Sequence, residues 1–291
     1  MLYSIQNEFL KVEINDVGAE LMSIKNKNDV EFLWQGDPKY WGGRAPIMFP
    51  ICGRLYEGKY TYLGKEYSMP NHGIARKYTF SPSQKGTDFV TLRMVSDEST
   101  KLSYPFDFVF DVTFSLVKNE LKIEYKVKNE DTKDLIFALG AHPAFNVPFG
   151  KDGKFEDYYL MFPKTAVALR VDYSPACFCT HNDYLYKKEG TRRIDLKHEL
   201  FDDDAIFLYN IPKEITLTSS KSKNSISVYF DDMKYVGLWH AVRTDAPYVC
   251  IEPWTSIPAD EGVVDDLSTK KEMMHLAPGY THKSSYTIKI S

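Results

Sequence analysis

Cysteine is scarce: four in 291 residues are too few for a disulfide framework in a chain this long. The closely placed pair in Cys177-Phe178-Cys179 lacks the spacing of a zinc site. Free thiols and a reducing, cytoplasmic setting are therefore expected. Long apolar runs are missing as well. The opening MLYSIQNEFLKVEIND is charged by Glu8, and no segment has signal-peptide or membrane length, so no membrane partner is expected. Nor is there an excess of positive charge. Lys and Arg number 36 against 40 Asp and Glu, giving a formal charge of −4 and a pI near 6.0, which argues against nucleic acid as a partner. Linkers rich in Pro, Ser and Gly, low-complexity tracts and internal repeats are absent too. One continuous domain over residues 1–291 is the simplest organisation, and all-β folds reach such a size as one unit.

Apolar side chains are plentiful, at 43% hydrophobic and 14% aromatic residues, enough for a large core. Their spacing has period two. Phe106, Phe108, Phe110, Val112, Phe114 and Leu116 alternate with Asp107, Val109, Asp111, Thr113 and Ser115, the pattern of a strand with one buried face. After Lys118-Asn119-Glu120 the alternation resumes at Leu121, Ile123, Tyr125 and Val127, so residues 106–128 predict a long antiparallel hairpin. Further strands are predicted at 9–15, 19–25, 59–67, 88–95, 214–219, 225–230, 235–239 and 284–290. The best helical candidate is short, near 268–274, where Thr269 and Glu272 could form a capping box. Strands separated by short Gly, Pro, Asn and Asp turns point to an antiparallel sandwich, not a parallel α/β sheet.

Five segments carry polar side chains that this scheme does not explain: FPICGRL, PNHGIAR, GAHPAFN, FDDDAIF and CIEPWTS. Glu252 follows the apolar strand Tyr248–Ile251 and precedes Pro253-Trp254. A carboxylate beside an indole and away from water has its pKa raised, which suits a base working near neutrality; a solvated strand-end glutamate is the alternative. The apolar run 135–139 reads as a buried strand, His142 follows it between Gly140 and Pro143, and His72 lies between Asn71 and Gly73. Either ring can be a proton carrier or a hydrogen-bonded structural group. Arg54 and Arg76 read as surface residues or as fork donors to hydroxyls or an anion. Asp204 belongs to a run of three aspartates. Trp34, Trp41, Trp239 and Trp254 suit either the core or a stacking platform, and Trp239 with His240 could face a groove.

A base, an acid and several donors on one β face suit a polyhydroxylated substrate. A sugar ring is a hemiacetal, and opening it needs a proton removed from the anomeric hydroxyl and another given to the ring oxygen. Rotation about C1–C2 and reclosure give the other anomer, with no metal, nucleotide or covalent intermediate.

In order along the chain, GRL, NHGIAR, AHPAFN, DDDAIF and IEPW, with LAPGY near the end, resemble the aldose 1-epimerase (galactose mutarotase-like) family, and most closely its LacX-like branch. The resemblance implies a large antiparallel β supersandwich with the sugar site on its concave face. It also implies roles. Glu252 would be the base, His142 the acid, and His72 the second histidine supporting proton transfer. Arg54 and Asp204 would bind hydroxyls, although Asp202 and Asp203 are adjacent candidates for the latter. HGIAR and HPAF depart from the galactose mutarotases and lean towards the LacX and hexose-6-phosphate epimerase branches. In the phosphate-binding branch, arginines at the places of Arg76 and, roughly, Arg44 hold the phosphate. The expected partner is thus a small aldose or aldose phosphate. A non-catalytic sugar-binding protein is the alternative class, and a glycoside hydrolase would need a second carboxylate near Glu252. An exposed sheet edge could also pair two subunits as a homodimer.

Overall fold

Alternation in the sequence becomes pairing in the computed structural model, which describes residues 1–291. Phe108–Val117 and Glu120–Asn129 form the expected hairpin, with Val117 opposite Glu120 at the turn. Phe108, Phe110, Val112, Phe114 and Leu116 are buried on one face.

The hairpin lies within a nine-stranded antiparallel sheet. Its spatial order is Thr191–Asp195, Tyr158–Ala166, Glu214–Ser219, Ile226–Tyr229, Thr281–Ile290, Glu120–Asn129, Phe108–Val117, Phe89–Val95 and Ser81–Lys85. A second antiparallel sheet runs Tyr184–Leu185, Leu169–Arg170, Ile206–Tyr209, Tyr235–Trp239, Tyr248–Trp254, Gly140–Ala141 and Ile47–Met48, and Ala144–Asn146 also pairs with Tyr248–Trp254. Leu2–Gln6, Leu10–Asn15 and Leu21–Asn26 make a separate three-stranded sheet.

One cluster of 68 buried residues takes in side chains of both large sheets, among them Phe110, Ile123, Leu217 and Ile288 from one and Leu208, Val236, Val249 and Ile251 from the other. Burying apolar surface between two sheets is what holds such a sandwich together. The opposite face of the second sheet has its own side chains. Tyr248 and Cys250 join one satellite cluster, Tyr235 and Trp254 another. That face carries the chemistry described below.

Three sequence expectations need correction. The helix near 268–274 is absent. Asp266 instead accepts from the backbone of Ser268, Thr269 and Lys270 in a single turn, Glu272 takes a left-handed φ of 62°, and its carboxylate pairs with Lys234 instead of backing Thr269. The single α-helical turn lies at Glu98–Lys101, closed by a capping box between Asp97 and Thr100. Second, the apolar run 135–139 is not one strand: Leu135–Phe137 pairs with Met274–Leu276, and the chain then bends to pair Gly140 with both Met48 and Trp254. Third, Glu252 is not at a strand end, because Tyr248–Trp254 stays paired through Pro253.

Candidate active site

Strand Tyr248–Trp254 alternates Val249 and Ile251 into the main core with Tyr248, Cys250, Glu252 and Trp254 on the opposite face. Its neighbour on one side is interrupted. Gly140 pairs with Trp254 and Ala144 with Cys250, so the register sets His142 directly across from Glu252. Pro143 has no N–H to continue the ladder, and its carbonyl instead accepts from the Ile251 N–H. The histidine is thus aimed by a strand break. Its Nε2 lies 3.4 Å from Glu252 Oε2.

On the other side Gly237 pairs with Glu252. A Cβ there would come within 2.9 Å of the Phe207 ring and 3.3 Å of the Glu252 Cβ, so the missing side chain makes room for the carboxylate. Glu252 is 2% and His142 8% exposed. Burial pushes the Glu252 carboxyl well above the usual range, and the charge of Asp204 adds to this. Burial likewise holds the His142 imidazole well below its ordinary value, helped by His72 and Arg76. Two groups that both resist charge, 3.4 Å apart, are best served by one shared proton. His142 Nδ1 and the Trp254 indole nitrogen are buried without a hydrogen-bond partner.

His72 sits beside this pair, edge-on to His142 with ring centroids 5.7 Å apart. Its backbone has a left-handed φ of 64°, and the following Gly73 is pressed against the Phe49 carbonyl, where a Cβ would stand 2.2 Å from the oxygen. The N–H of Gly53 donates to His72 Nδ1 at 3.1 Å. An accepting Nδ1 leaves the ring proton on Nε2. Burial, with the charges of Arg76 and Arg54, lowers this imidazole to about 3. His72 is therefore a neutral N–H donor at pH 7.

Aromatic rings frame the pair. Trp41 stacks on His142 at 4.7 Å, and Trp239 meets the same ring edge-on at 5.5 Å. Trp254 packs on Phe207 at 4.4 Å and edge-on to His72. Trp34 is buried in the satellite cluster with Tyr248 and Cys250, and His240 faces away, bonded to His198 and the Ala241 carbonyl. Strand alternation separates Trp239 from its neighbour in this way.

The other expected residues are brought together unequally. Asp204 lies near enough for its charge to act on Glu252, whereas Asp203 is exposed and Asp202 lines a different hollow with Lys39, His198 and Arg243. The Asp204 carboxylate accepts from Cys177 Sγ at 3.0 Å and from the Ala205 N–H at 2.8 Å. Arg54 is exposed and donates to the Ala176 carbonyl at 3.1 Å, so one turn, Ala176-Cys177, touches both residues. Arg76 follows His72 on a short 3-10 turn and bears on both histidines by charge. Arg44 is the outlier: its guanidinium is taken by the Met22 carbonyl and Gln35, away from the pair. Cys177 and Cys250 carried no sequence signal, since a cysteine in an apolar or loop context reads as packing.

Comparison with known proteins agrees over the full length. A model of the aldose 1-epimerase family matches residues 1–288. Protein LacX (plasmid) of Lactococcus lactis subsp. lactis is 32% identical over 298 residues, covering 100% of this chain and 99% of the relative. Two solved structures share the fold at TM-score 0.94. A galactose mutarotase related enzyme from Lactobacillus acidophilus is 35% identical, with 100% of this chain and 97% of the other covered. A galactose mutarotase-like protein from Lactobacillus casei is 32% identical, with both chains covered completely. Matched from the first strand to the last in both sequence and fold, this chain belongs to the aldose 1-epimerase family.

Proposed function

We propose that the protein is a mutarotase that interconverts the α and β anomers of a hexose by acid–base ring opening and reclosure. The observation that carries this reading is the His142–Glu252 pair, 3.4 Å apart and buried. Glu252 takes the proton of the anomeric hydroxyl and His142 Nε2–H gives one to the ring oxygen. The C1–O5 bond breaks, C1–C2 rotates, and the same groups reverse roles on closure. The ion-pair form needed at the start, Glu252 carboxylate with His142 imidazolium, has the same proton count as the neutral pair, so no proton has to come from solvent. His72 Nε2–H donates to the ring region, Asp204 and Arg54 hold hydroxyls, and Trp41 or Trp239 covers an apolar sugar face.

Arg54 and Arg76 both place positive charge near His72, which favours a second reading in which the hexose carries a phosphate. Arg44, engaged elsewhere, is not needed for it. Asp204 is a second carboxylate near Glu252, as a hydrolase would require, but a cysteine and a backbone N–H hold its oxygens, and the group across from Glu252 is an imidazole. The four free cysteines suit a reducing cytoplasm. No helix is long and apolar enough to cross a membrane.

The test is anomer exchange followed by NMR on glucose, galactose and their 6-phosphates, with Glu252→Gln as control. Acceleration that disappears in the variant supports the mutarotase. If only a phosphate responds, and Arg76→Ala removes the response, the phosphorylated class is the substrate. Binding without acceleration of any anomer would leave a sugar-binding protein.

A further inference from the structure

Cys250 is a buried thiol that the proposed chemistry does not use. It lies two residues before Glu252 on the same strand, hence on the same face, and its neighbour across the ladder is Ala144, two residues beyond His142. One ligand atom from each of His142, Cys250 and Glu252 falls within 4.8 Å of the other two, and all three residues are buried. A second observation leaves room for an occupant between them: His142 is 8% exposed, and its Nε2 is 3.4 Å from Glu252 Oε2, longer than an ordinary hydrogen bond, so the two groups are not closed on each other.

We propose that His142, Cys250 and Glu252 form a binding site for a zinc-type divalent transition ion. In a tetrahedral zinc centre, bonds of about 2.0–2.3 Å put neighbouring ligand atoms roughly 3.3–3.8 Å apart. Atoms already within 4.8 Å close to that spacing by a small side-chain rotation. Imidazole, thiolate and carboxylate together select zinc, cobalt or a similar ion over magnesium and calcium, which prefer oxygen. Three protein ligands leave a fourth position for a water or a sugar hydroxyl. Thiolate and carboxylate bring two negative charges, so a divalent ion leaves the buried site electrically neutral, as burial demands.

Such an ion occupies the nitrogen and the carboxylate assigned to proton transfer, and therefore inhibits. That consequence rests on the mutarotase reading, whereas binding itself does not.

Cobalt(II) titrated into the intact chain tests binding. The expected result is a sulfur-to-cobalt charge-transfer band in the near ultraviolet, visible bands of four-coordinate cobalt, saturation at one ion per chain, and displacement by zinc. Cys250→Ser loses the sulfur band, and Cys177→Ser keeps it. Because a hydroxyl at 250 can destabilise the strand, Glu252→Gln is read beside it. With the thiol intact it retains the band but binds cobalt more weakly, by more than the roughly 10–100-fold that loss of an outer-shell partner costs. No sulfur band in the wild type, a sulfur band kept in a folded Cys250→Ser protein, or a cobalt affinity unchanged in Glu252→Gln overturns the site. Anomer exchange is then measured with zinc and with zinc plus chelator. Inhibition by zinc that the chelator reverses supports the regulatory role, and exchange unaffected by bound zinc refutes it. Cobalt binding in a chain that exchanges no sugar would count against the mutarotase reading and leave the metal site standing.

Discussion

His142 stands directly across the strand from Glu252, in register, because Gly140–Ala141 and Ala144–Asn146 both pair with Tyr248–Trp254 and the chain between them does not. An imidazole and a carboxyl are thereby set face to face by backbone pairing. Position in a ladder is harder to lose than a rotamer, and preorganisation of this kind is what proton transfer needs.

On the mutarotase reading the two act as a unit, so their losses should not add. Glu252→Gln and His142→Asn should each lower kcat by roughly 10²–10⁴-fold, with sugar affinity changed little, and the double variant should fall hardly further. Anomer exchange and sugar titrations on the three variants check this. A Glu252→Gln protein keeping more than about a tenth of the activity would remove the base from Glu252.

The pH profile follows from the direction of the two shifts. The active pair carries one proton. A second proton charges the pair only at low pH, because burial lowers His142, and the single proton leaves only at high pH, because burial raises Glu252. Exchange rates should therefore be flat through neutrality, with the acid limb below the ordinary histidine range and the basic limb above the ordinary glutamate range. The limbs belong to the pair and not to either residue. An acid limb at the ordinary histidine value would contradict the buried geometry.

Acid should also unfold the protein, and His72 provides part of the reason. Its folded value is about 3, while an unfolded histidine titrates near 6.5. A depressed histidine stabilises the fold fully above the unfolded value, and that contribution is lost as pH falls towards the folded one. Tm should drop between about pH 6.5 and 4. His72→Asn keeps an acceptor for the Gly53 N–H, tolerates the left-handed φ of 64°, and cannot take the proton, so its Tm should decline less steeply over that window. Parallel melting curves for the two proteins would refute the assignment.

Much of the sandwich was legible because one-sided burial writes itself into the sequence as period two. The hairpin over Phe108–Asn129 and the strands at Glu214–Ser219 and Tyr235–Trp239 came through closely. Strand Tyr248–Trp254 was cut short, since proline normally ends pairing. Here Ile251 and Thr255 donate to Pro143 and Leu139, so the absent N–H of Pro253 falls on the side where the ladder is already broken. The turn at 268–270 was mistaken for a helix because Asp266, outside the supposed capping box, supplies the cap. The candidate residues were picked out by a family pattern, whereas the place of His142 opposite Glu252 and the company of Cys250 are tertiary facts. No local propensity encodes them.

Gly237 offers the strictest check on how the carboxylate is placed. Its backbone is not in the left-handed region, so glycine is needed there for space and not for conformation. In Gly237→Ala the added methyl meets the Phe207 ring at 2.9 Å and the Glu252 Cβ at 3.3 Å. Overpacking of this kind costs about 1–3 kcal/mol of stability. The methyl also presses on the strand that carries Glu252, and on the mutarotase reading a displacement near 1 Å there can cost about 10²-fold. The variant should therefore melt lower and lose kcat well beyond the fraction of chains unfolded at the assay temperature, with sugar affinity less affected. A folded Gly237→Ala protein with wild-type kcat would show that Glu252 reaches the anomeric hydroxyl without this constraint.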